Sequence, residues 1–507
     1  MPAVSLPDNP NLEQLRKQAR ELQRAVRASD QEALALVREF SPDAELIPAA
    51  FPLVAAQLVT ARRYDFASWP KLRRYVQVIE ARNWNPDAAR PAEEPPADRF
   101  LRMTCLTYSN NETADIASAA QLLADHPDLP EQSLAVAAAC ADVDQVRRHL
   151  AGDPSLASAI TGPHGWSPLL YQAYARHQPP VGIAETLETA RLLLAAGADP
   201  NDGRFWHGLP TPFTVLTGVL GGGERAEPWH PHSLAFGRLL LEAGADPNDG
   251  QAVYNRMFGT SDDHLVLLFE FGLGRGPGGP WHRLLGDRLE SPRVMLRNLL
   301  AWAVTHDQRE RVALLARKGV DVLSPITEER SRGRRARTPA EHALSNGHRE
   351  LAEMLIGLGG AVPRLRPADV FVAAMLAGDA EAVRSTDPAV ASAVRRSRPG
   401  LVTWAASQGA AESVPLLVAA GFDVNAYGRS DVPSNERWHT ALHVAAGNGD
   451  LPLARTLLDL GADPNLRDKH YQGTPLGWAR YFGRQPLINL LEPVTRSAPE
   501  GPGPAPG

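Results

Sequence analysis

Cysteine is almost missing from this 507-residue chain. Cys105 and Cys140 stand in separate segments with no CxxC spacing. That excludes a disulfide framework and a thiolate zinc cluster, and it leaves two small buried hydrophobes as the reading. Lysine is scarce as well: it occurs at 17, 71, 318 and 469 only, so nearly all of the 52 basic side chains are arginine. With much alanine and proline, that bias points to a GC-rich bacterial genome, which concerns codon usage and not mechanism. An excess of positive charge is absent. The formal net charge of −6 argues against nucleic acid as the main partner, because a phosphate-binding surface needs positive charge. No apolar run approaches the roughly 18 residues of a membrane helix. The start, "MPAVSLPDNPNLEQL", has no basic region leading into an apolar core, so no secretory leader and no membrane partner is expected, and a cytoplasmic location is the default. Catalytic signatures are missing too: there is no GxSxG, P-loop, HExxH or kinase set, so no catalytic residue and no cofactor is expected.

What is present is repetition. "TALHVAAGNGDLPLARTLLDLGADPN" runs from 440 to 465, and its second half returns as "LLLAAGADPN" at 192 and "LLLEAGADPN" at 239. Thr440 is placed to cap a helix, Asn448-Gly449 to reverse the chain, and Asp450 to cap a second helix with Pro452 in its first turn. Leu453, Leu457, Leu458 and Leu460 lie on one face, and Gly461 is placed to end the helix in the left-handed region. Each unit therefore reads as helix, tight turn, antiparallel helix and projecting loop. Two such short helices bury their apolar face only against neighbouring copies, which is why the pattern recurs.

These residues resemble the ankyrin repeat, a family centred on T-P-L-H-x-A with a 33-residue period. The first element stands as Thr440-Ala441-Leu442-His443-Val444-Ala445, as Thr474-Pro475-Leu476-Gly477-Trp478-Ala479 and as Thr338-Pro339-Ala340-Glu341-His342-Ala343, with weaker forms at Ser167-Pro168-Leu169 and Thr211-Pro212-Phe213. The helix-ending glycine recurs at 197, 244, 319, 421 and 461, and more weakly at 272 and 359. The resemblance implies an all-α ankyrin-repeat solenoid of about ten irregular helix-turn-helix units, with a structural rather than catalytic histidine at His443. Spacing departs from the family: 47 residues separate Gly197 from Gly244 and Gly272 from Gly319, and only 28 separate Gly244 from Gly272. The excess is expected in projecting loops, some of them short β-hairpins.

The expected organisation is a helical N-terminal capping region (1–83), a Pro-rich linker (84–98), a helical connecting segment (99–132), the repeat array with loop insertions (133–492) and a disordered tail (493–507). In the first of these, Leu12, Leu15, Ala19, Leu22 and Val26 mark an amphipathic helix. Ser29-Asp30-Gln31-Glu32 reads as a capping box, and Ser68 as the cap of a later helix.

The implied function is non-catalytic recognition of a protein partner, whose identity the residues do not reveal, along a concave groove and its loops. Trp206, Trp229, Tyr254, Arg256 and Trp281 in the middle loops, and Trp438 and Tyr471 further on, are the residue types that carry interface energy. The bland alternative is that the rings pack oversized loops onto the repeats. Residues 201–290 also hold the elements of other readings. One is a small-ligand, metal or enzyme site from His207, His230, His232, His264 and His282 with Asp262 and Asp263; no metal ligand is assigned, since four converging donors would be needed. Another is a GxGxxG at Gly274, Gly276 and Gly279, which lacks the strand that a dinucleotide site requires. The arginine-rich loop with Arg330, Arg332, Arg334, Arg335 and Arg337 reads as a solvated loop beside Glu328 and Glu329.

Overall fold

Alternating apolar positions, Asx or hydroxyl caps and terminal glycines set the local structure. In the computed structural model helix accounts for 58% and strand for 4%. The structure describes residues 4–496 apart from 5, 8–9, 42–46, 89–90, 92, 110–112, 225–226, 327–335, 411 and 434–435. The expected tail from residue 497 onward and Arg330, Arg332, Arg334 and Arg335 lie outside the described residues. The chain divides into two compact units, Met1–Met295 and Leu296–Gly507.

In the second unit the helix pairs are short and regular. Leu401–Ser407, Ala441–Asn448 and Pro475–Tyr481 pack side by side, and Ser413–Ala419, Leu451–Asp459 and Gln485–Leu491 each fold back on their own first helix. Trp404, Leu417, Leu442, Leu457 and Leu487 form one continuous core with Phe371 and Met375. The caps are those the residues imply. The Asp450 side chain accepts from the Leu453 amide, Gly449 is left-handed, and Gly461 leaves the helix at φ 90°.

The ten recurring residues have a second use. In each copy the aspartate of "DPN" or "DVN" accepts from the amide two residues on, at Asp199, Asp246, Asp423 and Asp463. The asparagine then reaches the next copy. Asn425 donates to the Gly461 carbonyl and accepts from the Asp463 amide, at 3.2 and 2.8 Å. Asn201 does the same with Gly244 and Asp246. Asn248 bonds Arg275 and Gly274. The repeat thus carries its own inter-copy bond.

In the first unit Leu134–Ala139, Pro168–Tyr174, Val215–Leu220 and Gly250–Met257 pack in succession, as do Val143–Gly152, Ile183–Ala195, Ser233–Glu242 and Asp263–Glu270 behind them. A small sheet lies beside these: β1 (Asn83–Trp84) runs parallel to β2 (Gly203–Trp206), which is antiparallel to β3 (Pro212–Thr214). Trp84, at the start of the Pro-rich stretch, is buried edge-on against Trp166, Tyr174 and Phe213.

The N-terminal residues form Leu12–Arg27, Gln31–Phe40, Leu53–Arg63 and Trp69–Arg82. Asp30 alone caps the second of these, accepting from Ala33, because Ser29 takes a positive φ; Ser68 occupies a cap position without a side-chain bond. Leu12, Leu15, Tyr64, Leu72, Val76 and Ile79 share a core with Phe205, Trp281 and Leu285. The leader therefore closes over the long loops of the same unit.

Candidate interaction surface

Asn255 and Arg256 fix one wall of the loop between helices Val215–Leu220 and Ser233–Glu242. Gly221, Gly222 and Gly223 all have positive φ, and the Gly223 amide donates to Asn255 O at 2.7 Å. A Cβ on Gly222 would stand 2.8 Å from that same carbonyl, so only glycine brings the two backbones so close. Arg176, fully buried, donates to Ala173 O, Ala175 O, Gly218 O and, through Nε, Pro228 O. Burial pushes its guanidinium down to about 10. On the far side the His230 amide bonds Val219 O. Between these two anchored residues stands Trp229, 49% exposed, with the Arg256 guanidinium 3.7 Å from its ring centroid. Tyr254, half-buried, donates its hydroxyl to Glu224 at 2.5 Å and meets Phe258 edge-on.

The other expected contact residues divide by burial. Trp206 is half-buried at the end of β2 and donates to Thr107 O at 2.9 Å. Trp281 and Arg256 lie in the interior. Trp281 is 7% exposed, donates to Asn201 O, and packs edge-on against Phe205 in the core shared with the N-terminal helices. Arg256 is 5% exposed, bonds Leu220 O and supports Trp229 from behind. The reason is geometric: loops that outgrow their helix pair have no neighbouring helix to cover them, so large side chains fill the space beneath.

In the second unit an antiparallel bridge joins Gly428 to His439. Arg429 lies 3.9 Å over the Trp438 ring, pairs with Asp431, and reaches Glu436 at 2.7 Å. His470 stacks on the indole, and Tyr471 stands edge-on to His470. Trp438 and Tyr471 are both half-buried. Asp468, buried, accepts from Gly473 N and from Trp478 Nε1, and so orders the turn that carries Tyr471.

His443 is wholly buried. Its Nδ1 accepts from the Thr440 amide, so the proton sits on Nε2 and is donated to Gly473 O of the next copy at 3.1 Å. Burial pushes its pKa down to about 4, against the pull of that carbonyl. Where the family histidine is replaced by Glu341, the carboxylate closes a reciprocal cap with Thr338. The only described member of the arginine loop, Arg337, joins Arg366 and Arg398 around Asp369, whose side chain is 4% exposed. Burial works against that carboxylate's charge, and the three guanidiniums overcome it, holding the group below its usual range.

The histidines offered for a metal meet other partners, and only His230 and His232 lie together. His207 meets Asp87, His232 bonds Val181 O, His282 bonds Glu290 O, and His230 accepts from the His232 amide. Among the described residues no group of three or more His, Cys, Asp or Glu side chains is placed to hold a metal ion. Before the GxGxxG of residues 274–279 stands helix Asp263–Glu270, not a strand. Among the described residues no helix is long and apolar enough to cross a membrane.

Paired antiparallel helices, left-handed glycines after the second helices at 197, 244, 272, 319, 359, 421 and 461, bonded inter-copy turns and an imidazole linking one copy to the next define a helical repeat protein. Residues 428–476 match the family model for ankyrin repeats (many copies), which supports reading the chain as an ankyrin-repeat protein. Such repeats generally mediate protein–protein interaction.

Sequence reasoning missed Arg176 and the Gly221–Gly223 turn, which hold the Trp229 loop. The glycine run was a readable signal, whereas nothing around Arg176 marked an arginine bound for the interior.

Proposed function

We propose that this protein is a non-catalytic recognition module whose helix pairs form about ten ankyrin units, and that it docks a protein partner through its groove and loop tips. The observation that carries this is Trp229: a large ring half open to solvent, yet held between two anchored residues and backed by Arg256. A ring already fixed in place loses little entropy on docking, so its apolar area converts efficiently into affinity. Tyr254 and Trp206 extend this surface in the first unit, and Trp438 and Tyr471 supply anchors in the second. The reading includes a cytoplasmic location, in keeping with two cysteines that are not joined in a disulfide.

The test is affinity capture from native cells with wild type and with Trp229→Ala/Tyr254→Ala and Trp438→Ala variants of unchanged melting temperature. A partner retained by wild type and depleted about tenfold or more by a variant, the effect of losing one interface anchor, supports the reading. An identical set of captured proteins for all three overturns it.

A further inference from the structure

A groove of about 560 Å³ opens in the first unit between residues 62–75 and 283–288. That volume suits a small molecule. Its walls come from segments more than two hundred residues apart, brought together by the core that the N-terminal helices share with Trp281 and Leu285. Five cationic side chains line it, Arg62, Lys71, Arg74, Arg283 and Arg288, against two acids, Asp65 and Asp287. This is a concentration of positive charge in a chain whose formal net charge is −6.

The cations are not equivalent. Arg288 is committed: it lies 3.8 Å over the Phe66 ring, donates to Tyr64 O and Asp65 O, and pairs with the Asp65 carboxylate. Arg62 donates to Phe40 O. Among the described residues Lys71, Arg74 and Arg283 have no ion pair and no side-chain hydrogen bond. Lys71 and Arg74 are three apart on helix Trp69–Arg82, a like-charge spacing that disfavours the helix unless an anion lies nearby. Tyr75, on the same helical face, is only 9% exposed, packs on Phe66, and makes no hydrogen bond through its hydroxyl among the described residues. A largely buried tyrosine normally gives its O–H a partner. Here Tyr75 lines the groove instead.

We propose that this groove binds a small soluble anion carrying two or more phosphoryl groups. Three uncommitted cations approach from two walls, a phenol donor stands beside them, and the guanidinium fork matches phosphoryl oxygens. This site is separate from the Trp229 surface and does not depend on the protein-docking reading.

The experiment is calorimetric titration of the full chain with inorganic triphosphate and with ATP at fixed ionic strength, using citrate as a carboxylate control. The site predicts saturable one-to-one binding of both phosphate probes and little of citrate. Lys71→Gln/Arg74→Gln/Arg283→Gln loses binding, at about tenfold for each charge-assisted contact removed, while Lys318→Gln does not. Tyr75→Phe weakens binding several-fold at unchanged melting temperature. ATP binding tighter than triphosphate adds the Phe66–Tyr75 wall as a base contact; equal affinity assigns the site to the phosphoryl groups alone. No saturable binding by wild type, equal binding of citrate, or undiminished binding by the triple variant overturns the proposal.

Discussion

Between residues 401 and 491 the helix pairs are short, Asn425 in a turn bonds the next copy, and so does His443 from its helix. Between 201 and 290 the same glycines and asparagines persist, but the loop inside a helix pair lengthens to 221–232, against 449–450 in the regular region, and the segment brings in Phe205, Trp229, Arg256 and Trp281. In the regular region aromatic side chains such as Trp404 fill the helix core, and Trp438 lies half-buried on a loop. In the irregular region Phe205, Phe213 and Trp281 are buried, whereas Trp229 is half exposed. An aromatic-rich insertion therefore has to hold itself down before it can present anything. The rings that hold it and the ring that it presents look alike in sequence.

Five measurements sharpen or break this contrast. Trp281→Ala is expected to cost the most, about 3–5 kcal/mol, as for a large buried ring left as a cavity. Denaturant unfolding checks it, and a stability change near zero would put Trp281 back on the surface. Asp369→Asn leaves Arg337, Arg366 and Arg398 without their shared anion. The expected loss is about 2 kcal/mol, below the 3–5 of a fully buried pair because the arginines are partly solvated; a shifted thermal midpoint checks it.

His443→Ala removes both the cap and the bond to Gly473, for about 1–3 kcal/mol. It also carries a pH signature. The folded imidazole titrates at about 4 and the unfolded one near 6.5, so between those values the unfolded chain binds more protons. Stability is then full above about 6.5 and falls as pH drops towards 4. Denaturation midpoints at pH 7 and 5 check this, and the decline should be shallower in the variant. Asn425→Ala, with two partly solvated bonds to the next copy, is expected to cost about 1 kcal/mol. Trp229→Ala, by contrast, should change stability by less than about 0.5 kcal/mol while depleting the captured partner; a large loss of stability would class Trp229 with Trp281.

Much of the regular region was legible from residues alone. Thr440, Asp450, Gly449 and Gly461 act locally, through bonds that span a few residues, so their roles follow from spacing. His443 was legible through its resemblance to the family pattern. The role of Asn425 was not, although the residue recurs with the motif, because its partners lie thirty-six and thirty-eight residues on. Arg176 offered no signal at all.

The sequence by itself determined what depends on near neighbours: helix starts, helix ends, the amphipathic leader and the need for stacked copies. Only the tertiary structure decided which of the chemically similar rings is covered, that the N-terminal helices close over the middle loops, and that Lys71, Arg74 and Arg283 border one groove. Burial and charge clustering are sums over residues distant in the chain, and the local pattern of any one segment does not contain them.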